Sequence, residues 1–295
     1  MTIQKLLTTH THEDSEFILA HVLKKPREFI IAHPEHNVNF FERQKYKKCI
    51  QKRNAGISFA AIIGHKEFFD FDFLVNKYTL IPRPETEILV QSVCDEVKQT
   101  SGTHILFDIG TGSGCIAITL AKKLEYAHKL EVFASDVSAQ ALKVAKKNAK
   151  KHDVNITFLK GSLLEPFFKI SQTRETPTHL LITANLPYLT QQQFDEEPSI
   201  QYEPHTALVT HDNGLALYKE LCKEIISVKK YTLFSARIHL FMEIDPTQTN
   251  ELTQFIKNIF PKNEIKIKKD YHGDNRVMVV QFTFFKKFKK NEQCL

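Results

Sequence analysis

The sequence predicts an α/β protein: a doubly wound, mainly parallel sheet of seven strands with a small helical domain ahead of it. Three observations carry that expectation. From residue 104 onward, short apolar runs alternate with segments of helical period, the pattern of a parallel sheet covered on both faces. A glycine-rich turn, Gly110-Thr-Gly-Ser-Gly114, separates the first such run from the first such helix. The last two runs have no helix between them, which implies an antiparallel closing pair.

Residues 1–65 read as short helices. Phe17, Leu19, Ala20 and Leu23, then Phe29 and Ile30, then Phe40, Tyr46 and Ile50 recur at roughly helical spacing, and Pro26 and Pro34 punctuate them. Gly64 to Leu80 alternates instead, with Phe69, Phe71 and Phe73 set against Asp70 and Asp72. That predicts a β-hairpin, which together with a connecting loop fills residues 66–84 between two domains. The prolines at 82 and 84 keep the chain extended up to Glu85, where a helix to Val97 begins. Glu85 and Thr86 either line a site or cap that helix. In the second domain, residues 85–295, strands are expected at 104–109, 131–136, 156–160, 178–184, 237–244, 264–269 and 276–284. Helices are expected at 115–124, 138–152, 214–230 and 247–259.

Composition narrows the function classes. An apolar content of 42% is ample for a buried core in 295 residues, a length that suits two domains. No run is long enough to span a membrane, and the first fifteen residues carry Glu13 and Asp14 rather than a secretory or transit pattern. Five scattered cysteines read as a reduced, cytoplasmic chain. No Cys-x-x-Cys or His-Glu-x-x-His spacing occurs, so no metal is expected; His33-Pro-Glu-His36 reads as a surface turn. The net charge of +6 gathers toward the C-terminal end, where the final forty residues hold ten Lys or Arg against four acids. Phe284 to Lys290 reads as a solvated tail in preference to an RNA contact.

Three places carry chemistry. Asn185-Leu-Pro-Tyr188 follows the apolar run Leu180-Leu-Ile182 and so falls at the C-terminal end of a strand, where open α/β sheets place ligands. Asn185 offers an amide oxygen, Pro187 stiffens the turn that aims the Leu186 carbonyl, and Tyr188 offers a flat face. Two fixed acceptors beside a flat wall suit a planar –NH2 group; ordinary turn chemistry is the alternative. The glycine turn lets a ligand approach the backbone at a helix start, the environment of a nucleotide cofactor. A dinucleotide fingerprint would place glycine at 115, where this chain has Cys115. Asp136 ends the second strand, placed either to accept two ribose hydroxyls or to cap the following helix, a role Ser138 can also fill.

Asp108-Ile-Gly-Thr-Gly-Ser-Gly114, Asp136 and Asn185-Leu-Pro-Tyr188 resemble the cofactor and substrate motifs of S-adenosylmethionine-dependent methyltransferases. Ile81-Pro-Arg-Pro-Glu-Thr-Glu87, Glu203-Pro-His-Thr-Ala-Leu208, Asn213-Gly-Leu215 and Asp270-Tyr-His-Gly-Asp-Asn-Arg276 narrow the resemblance to the release factor glutamine methyltransferase family. It runs from about residue 15 to 285. It implies methylation of the glutamine side-chain amide in the Gly-Gly-Gln motif of peptide chain release factors, with S-adenosylmethionine as cofactor. It implies cofactor contacts at Asp108, Gly110, Thr111, Gly112, Ser113, Gly114, Asp136, Ser162, Leu163 and Asn185. Asn185, Leu186, Pro187 and Tyr188 would form the catalytic turn, with Glu85 and Thr86 beside the substrate. A docking role falls to residues 1–65, and a cytoplasmic monomer without nucleic-acid specificity is expected.

The chain departs from the family pattern at three places. Leu186 stands where the family usually has proline, Ser162 where it usually has an acid, and Tyr231 to Arg237 lacks the usual Gly-Gly turn. Two rival readings differ in class. A nucleic-acid adenine methyltransferase would share the Asn-Leu-Pro-Tyr motif but should carry a basic recognition domain, whereas the N-terminal part here is of mixed charge. A non-enzymatic cofactor-binding protein would have no need of intact glycines together with Asp136 and Asn185.

Overall fold

In a computed structural model of the chain, residues 1–10, 12–125, 130–168, 170, 176–227 and 236–283 are described. Five short helices come first: α1 (Ile3–Thr9), α2 (Ser15–Leu23), α3 (Arg27–Ala32), α4 (Phe40–Asn54) and α5 (Phe59–Ile63). Helix α4 starts at a capping box, in which Asn39 accepts the Glu42 amide and Glu42 returns to the Asn39 amide. Leu6, Ile18, Leu19, Ile30, Tyr46 and Ile50 form a core for this region separate from those on the sheet.

The hairpin follows as β1 (His65–Phe68) and β2 (Phe71–Leu74), paired antiparallel. The alternation of Phe69, Phe71 and Phe73 misplaces its turn. Phe69 and Asp70 are the turn itself, with φ of 53° and 66°, and Phe68 and Phe73 are the buried rings. A two-residue turn of this hand usually carries Asn-Gly, so nothing in the local sequence marks it. Tertiary contacts hold it instead: the Phe69 amide donates to Glu87 at 2.8 Å, and Lys123 lies over the Phe69 ring.

The main sheet runs in the order β5-β4-β3-β6-β7-β9-β8. Strands β3 (His104–Ile109), β4 (Leu130–Asp136), β5 (Thr157–Lys160), β6 (His179–Ala184) and β7 (Arg237–Glu243) are parallel. Strands β8 (Asn263–Lys269) and β9 (Asn275–Thr283) close it antiparallel, as the missing helix predicts. Every residue of β3 and β6 is buried, which is why Ile105-Leu-Phe107 and Leu180-Leu-Ile182 are continuous apolar runs rather than alternating ones. Edge strand β8 alternates half-buried with exposed positions and carries four lysines or glutamates on its open side. Helices α6 (Thr86–Gln99), α7 (Cys115–Lys123) and α8 (Ala139–Lys151) cover one face. On the other lie α10 (Ala216–Ser227) and α11 (Thr249–Ile259), after a short α9 (Gln191–Glu196).

The expected elements fall within one or two residues of these bounds. The ends of the expected helix 214–230 and strand 276–284, most of the loop Tyr231 to Arg237, and the tail Phe284 to Lys290 lie outside the described residues. Among the described residues no helix is long and apolar enough to cross a membrane. Reversal of strand order between β3 and β6 opens a crevice at the C-terminal ends of the parallel strands, and the candidate site lies there.

Candidate active site

The glycine turn is shaped by three backbone positions at φ of 72°, 56° and 83°, Gly110, Gly112 and Gly114. All lie in the left-handed region that a side chain resists. A Cβ at Gly112 would meet nothing closer than the Gly110 carbonyl at 4.0 Å, so the turn presents bare backbone to open space. Asp108 braces it from behind. It is fully buried and accepts the hydroxyls of Thr111 (2.6 Å) and Thr183 (2.8 Å). Burial pushes its carboxyl up to about 6, against the pull of those hydroxyls.

Asp136 stands at the C-terminal end of β4, bonded to the glycine turn. Ser138, not Asp136, caps α8, accepting the Ala141 amide at 3.1 Å. Asp136 accepts the Gly112 amide on one oxygen (2.9 Å) and the Ser138 amide on the other (2.8 Å). Each carboxylate oxygen therefore keeps a lone pair for a ligand. Burial raises its pKa, and the two amides oppose that.

At the end of β6, the Asn185 amide is oriented by its neighbours. Nδ2 donates to Glu243 at 2.9 Å and to Thr86 at 3.2 Å, so Oδ1 is the atom left for a ligand. An ionised Glu243 carboxylate can only accept, which assigns the amide nitrogen to its side. The Leu186 amide donates to the Tyr218 hydroxyl at 3.3 Å, and that hydroxyl donates to the Glu243 carbonyl. Tyr188 donates its hydroxyl to Glu243 at 3.2 Å. Behind it, Gln248 donates to the carbonyls of Tyr188 and Asn213, and Gly214 passes so close that a Cβ there would collide with the Tyr188 carbonyl.

One cavity of about 310 Å³ joins these parts. Gly110, Thr111, Gly112, Ser113, Asp136, Ser162, Leu163, Asn185, Leu186, Pro187 and Thr86 line it, as expected for a shared site. Asp108, Gly114, Tyr188 and Glu85 do not. Gly114 packs against Ile118 and Ala145, and Glu85 occupies the N-cap position of α6 without a side-chain capping bond. Residues of two further stretches, Tyr78 to Thr86 and Pro204 to Ala207, also line the cavity. Glu203 ties them together: it accepts the Ile81 amide at 2.8 Å and pairs with Arg83.

Comparison with known proteins places the chain in a family. Residues 4–64 match the PrmC N-terminal domain, and residues 106–196 a methyltransferase domain. A release factor glutamine methyltransferase from Bacillus anthracis is 30% identical over 270 residues, covering 90% of this chain and 91% of that protein. One from Flavobacterium psychrophilum is 38% identical over 226 residues, 75% of this chain and 74% of its own. The chain belongs to the release factor glutamine methyltransferase family. The hMettl16 catalytic domain shares the fold alone, with a TM-score of 0.56 at 14% identity over 91% of this chain and 92% of that one.

As a member of the release factor glutamine methyltransferase family, the protein is an S-adenosylmethionine-dependent methyltransferase. The residues present fit that cofactor. The glycine turn gives backbone access, Asp136 keeps two free lone pairs for a vicinal diol, and exposed Val137 with buried Leu163 supplies an apolar rim. Sequence reasoning did not single out Glu243 or Tyr218. The one local trace of Glu243 is an acid within Leu240-Phe-Met-Glu-Ile244, at the C-terminal end of the strand beside β6, and nothing near it in sequence names its partners. Glu203 stands out in the sequence only as one member of Glu203-Pro-His-Thr-Ala-Leu208.

Proposed function

We propose that this enzyme transfers a methyl group to the side-chain amide nitrogen of the glutamine in the Gly-Gly-Gln motif of peptide chain release factors, acting as a cytoplasmic monomer. The orientation of Asn185 carries the reading: with Nδ2 held by Glu243 and Thr86, Oδ1 is committed to accepting. Asn185 Oδ1 and the Leu186 carbonyl take the two hydrogens of a planar amide and turn its nitrogen toward the glycine turn. Asp136 holds the ribose, and Ser162 at the cavity rim meets an adenine edge. Leu186 serves in place of the usual proline because the group it contributes is backbone.

A carboxamide nitrogen is a poor nucleophile, since its lone pair is delocalised into the carbonyl. Bound S-adenosylmethionine supplies a methyl group on a sulfonium, a strong electrophile. The task of the protein is alignment, which in favourable cases supplies about 7–11 kcal/mol. As the N–C bond forms and the S–C bond breaks, positive charge grows on nitrogen, and the two acceptor dipoles stabilise it. The nitrogen proton then leaves to water. Incubation with labelled S-adenosylmethionine and a release factor, followed by mapping of the modified residue, tests the assignment. Label on the Gly-Gly-Gln glutamine is expected; label elsewhere or none overturns it.

A further inference from the structure

Glu243 is a carboxylate with 1% exposure at the end of β7, and no bond made or broken in the reaction outlined above involves it. It is where three separate stretches of the sequence meet. One oxygen accepts the Tyr188 hydroxyl at 3.2 Å, and the other accepts Asn185 Nδ2 at 2.9 Å. The Thr86 hydroxyl also bonds to it, and Arg276 places positive charge nearby. Glu85 adds a like charge. Burying a carboxylate is costly, and a fold keeps one only where partners offset that cost. Here the donors gathered on it are those flanking the substrate acceptor.

We infer that Glu243 is a positioning residue for methyl transfer: it fixes which face of the Asn185 amide the substrate meets and drives negative charge onto Oδ1. The inference rests on the proposed amide-methylating reading. Ionised Glu243 only accepts, so Asn185 must turn its NH2 inward and its oxygen outward. A protonated Glu243 donates, and can draw Oδ1 inward instead. The substrate amide then meets an NH2 group where it needs an acceptor. The same carboxylate polarises Asn185 along its hydrogen bond, so Oδ1 is a stronger acceptor as charge grows on the substrate nitrogen. Burial raises the pKa of Glu243 while Thr86, Tyr188 and Arg276 lower it, so the ionised form is lost above the ordinary carboxylate range as pH falls.

The test starts with the wild-type holoenzyme and an intact release factor. Absence of methyl transfer there overturns the functional reading and this proposal together. With transfer established, Glu243→Gln should lower kcat about 10²-fold, leaving the KM for release factor and the affinity for S-adenosylmethionine within about threefold. The wild-type kcat should fall on the acid side, and that limb should flatten in Glu243→Gln. In an Asn185→Ala background, Glu243→Gln should cost less than about threefold further, because the residue acts through Asn185. Glu243→Asp keeps the charge but withdraws the oxygens, and should also lose kcat; it serves if the glutamine variant does not fold. Near wild-type kcat in either folded variant, or fully additive losses in the double variant, would overturn the positioning role alone.

Discussion

Asn185 shows how much a single residue depends on its neighbours. In the sequence it is one amide beside a proline; in the fold, Glu243 and Thr86 decide which of its two atoms is offered. Asn185→Ala should leave the glycine turn intact and lower kcat about 10²–10³-fold, measured by single-turnover transfer at saturating cofactor and release factor. A rate within a few-fold of wild type would reduce Asn185 to turn chemistry. Asp136→Ala should weaken S-adenosylmethionine binding by about 1.5–3 kcal/mol, the range for charged hydrogen bonds, as measured by calorimetry. Unchanged affinity would remove the ribose assignment. Both residues were legible because each stands at a strand end, Asn185 two residues before a proline and Asp136 as the acid that closes the second strand after the glycine turn. Glu243 was not, because its partners lie 58 and 55 residues earlier in the chain, and an acid inside a strand announces no partner.

Among elements, the parallel strands were readable because burial on both faces forces continuous apolar runs. The hairpin turn was not, since Phe69 and Asp70 take left-handed backbone without glycine. At the other end of the sheet, away from the crevice, three strands carry histidines into the interior. His104 stacks on His179 with centroids 4.9 Å apart, and His179 Nδ1 lies 2.9 Å from His239 Nε2. Glu96 from α6 stands 3.3 Å from His239 Nδ1, and Arg237 and Lys266 add positive charge. Burial, with the neighbouring positive groups, pulls His239 down to about 3, and His104 and His179 are also lowered. A base with a depressed folded pKa binds fewer protons than in the unfolded chain, so its contribution to stability is lost as pH falls below about 6.5. Raised carboxyls such as Asp108 work in the opposite direction. The signature is thus a difference: between pH 7 and 5, wild type should lose more Tm than His239→Leu. Parallel Tm profiles in thermal melts would show that His239 is not a source of acid sensitivity.

Over the whole molecule, the helical region and the sheet keep separate cores. Helix α5 leads directly into the hairpin, and the Tyr202 hydroxyl donates to the Ala55 carbonyl at 2.7 Å. If the helical region docks the release factor, deleting residues 1–63 should spare S-adenosylmethionine affinity and abolish methylation of the intact factor. Equal turnover by the truncated and full-length enzymes would refute the docking role. The partition into a helical part and a sheet was readable from periodicity, since the spacing of apolar residues changes near Gly64. What periodicity cannot convey is that Pro82, Thr86 and Pro204 share one cavity with the glycine turn.

The bond from Glu203 to Ile81 and Arg83 also has a meaning in time. A chain made from its N-terminus exposes Ile81 and Arg83 long before their partner exists, because 120 residues separate Arg83 from Glu203. Closing so wide a loop is slow, and the reward arrives only after strands β3 to β6 have been laid between the two ends. A nascent chain therefore holds the glycine turn well before it holds the acid that fastens the Ile81–Arg83 stretch, and that tie waits on synthesis past residue 203.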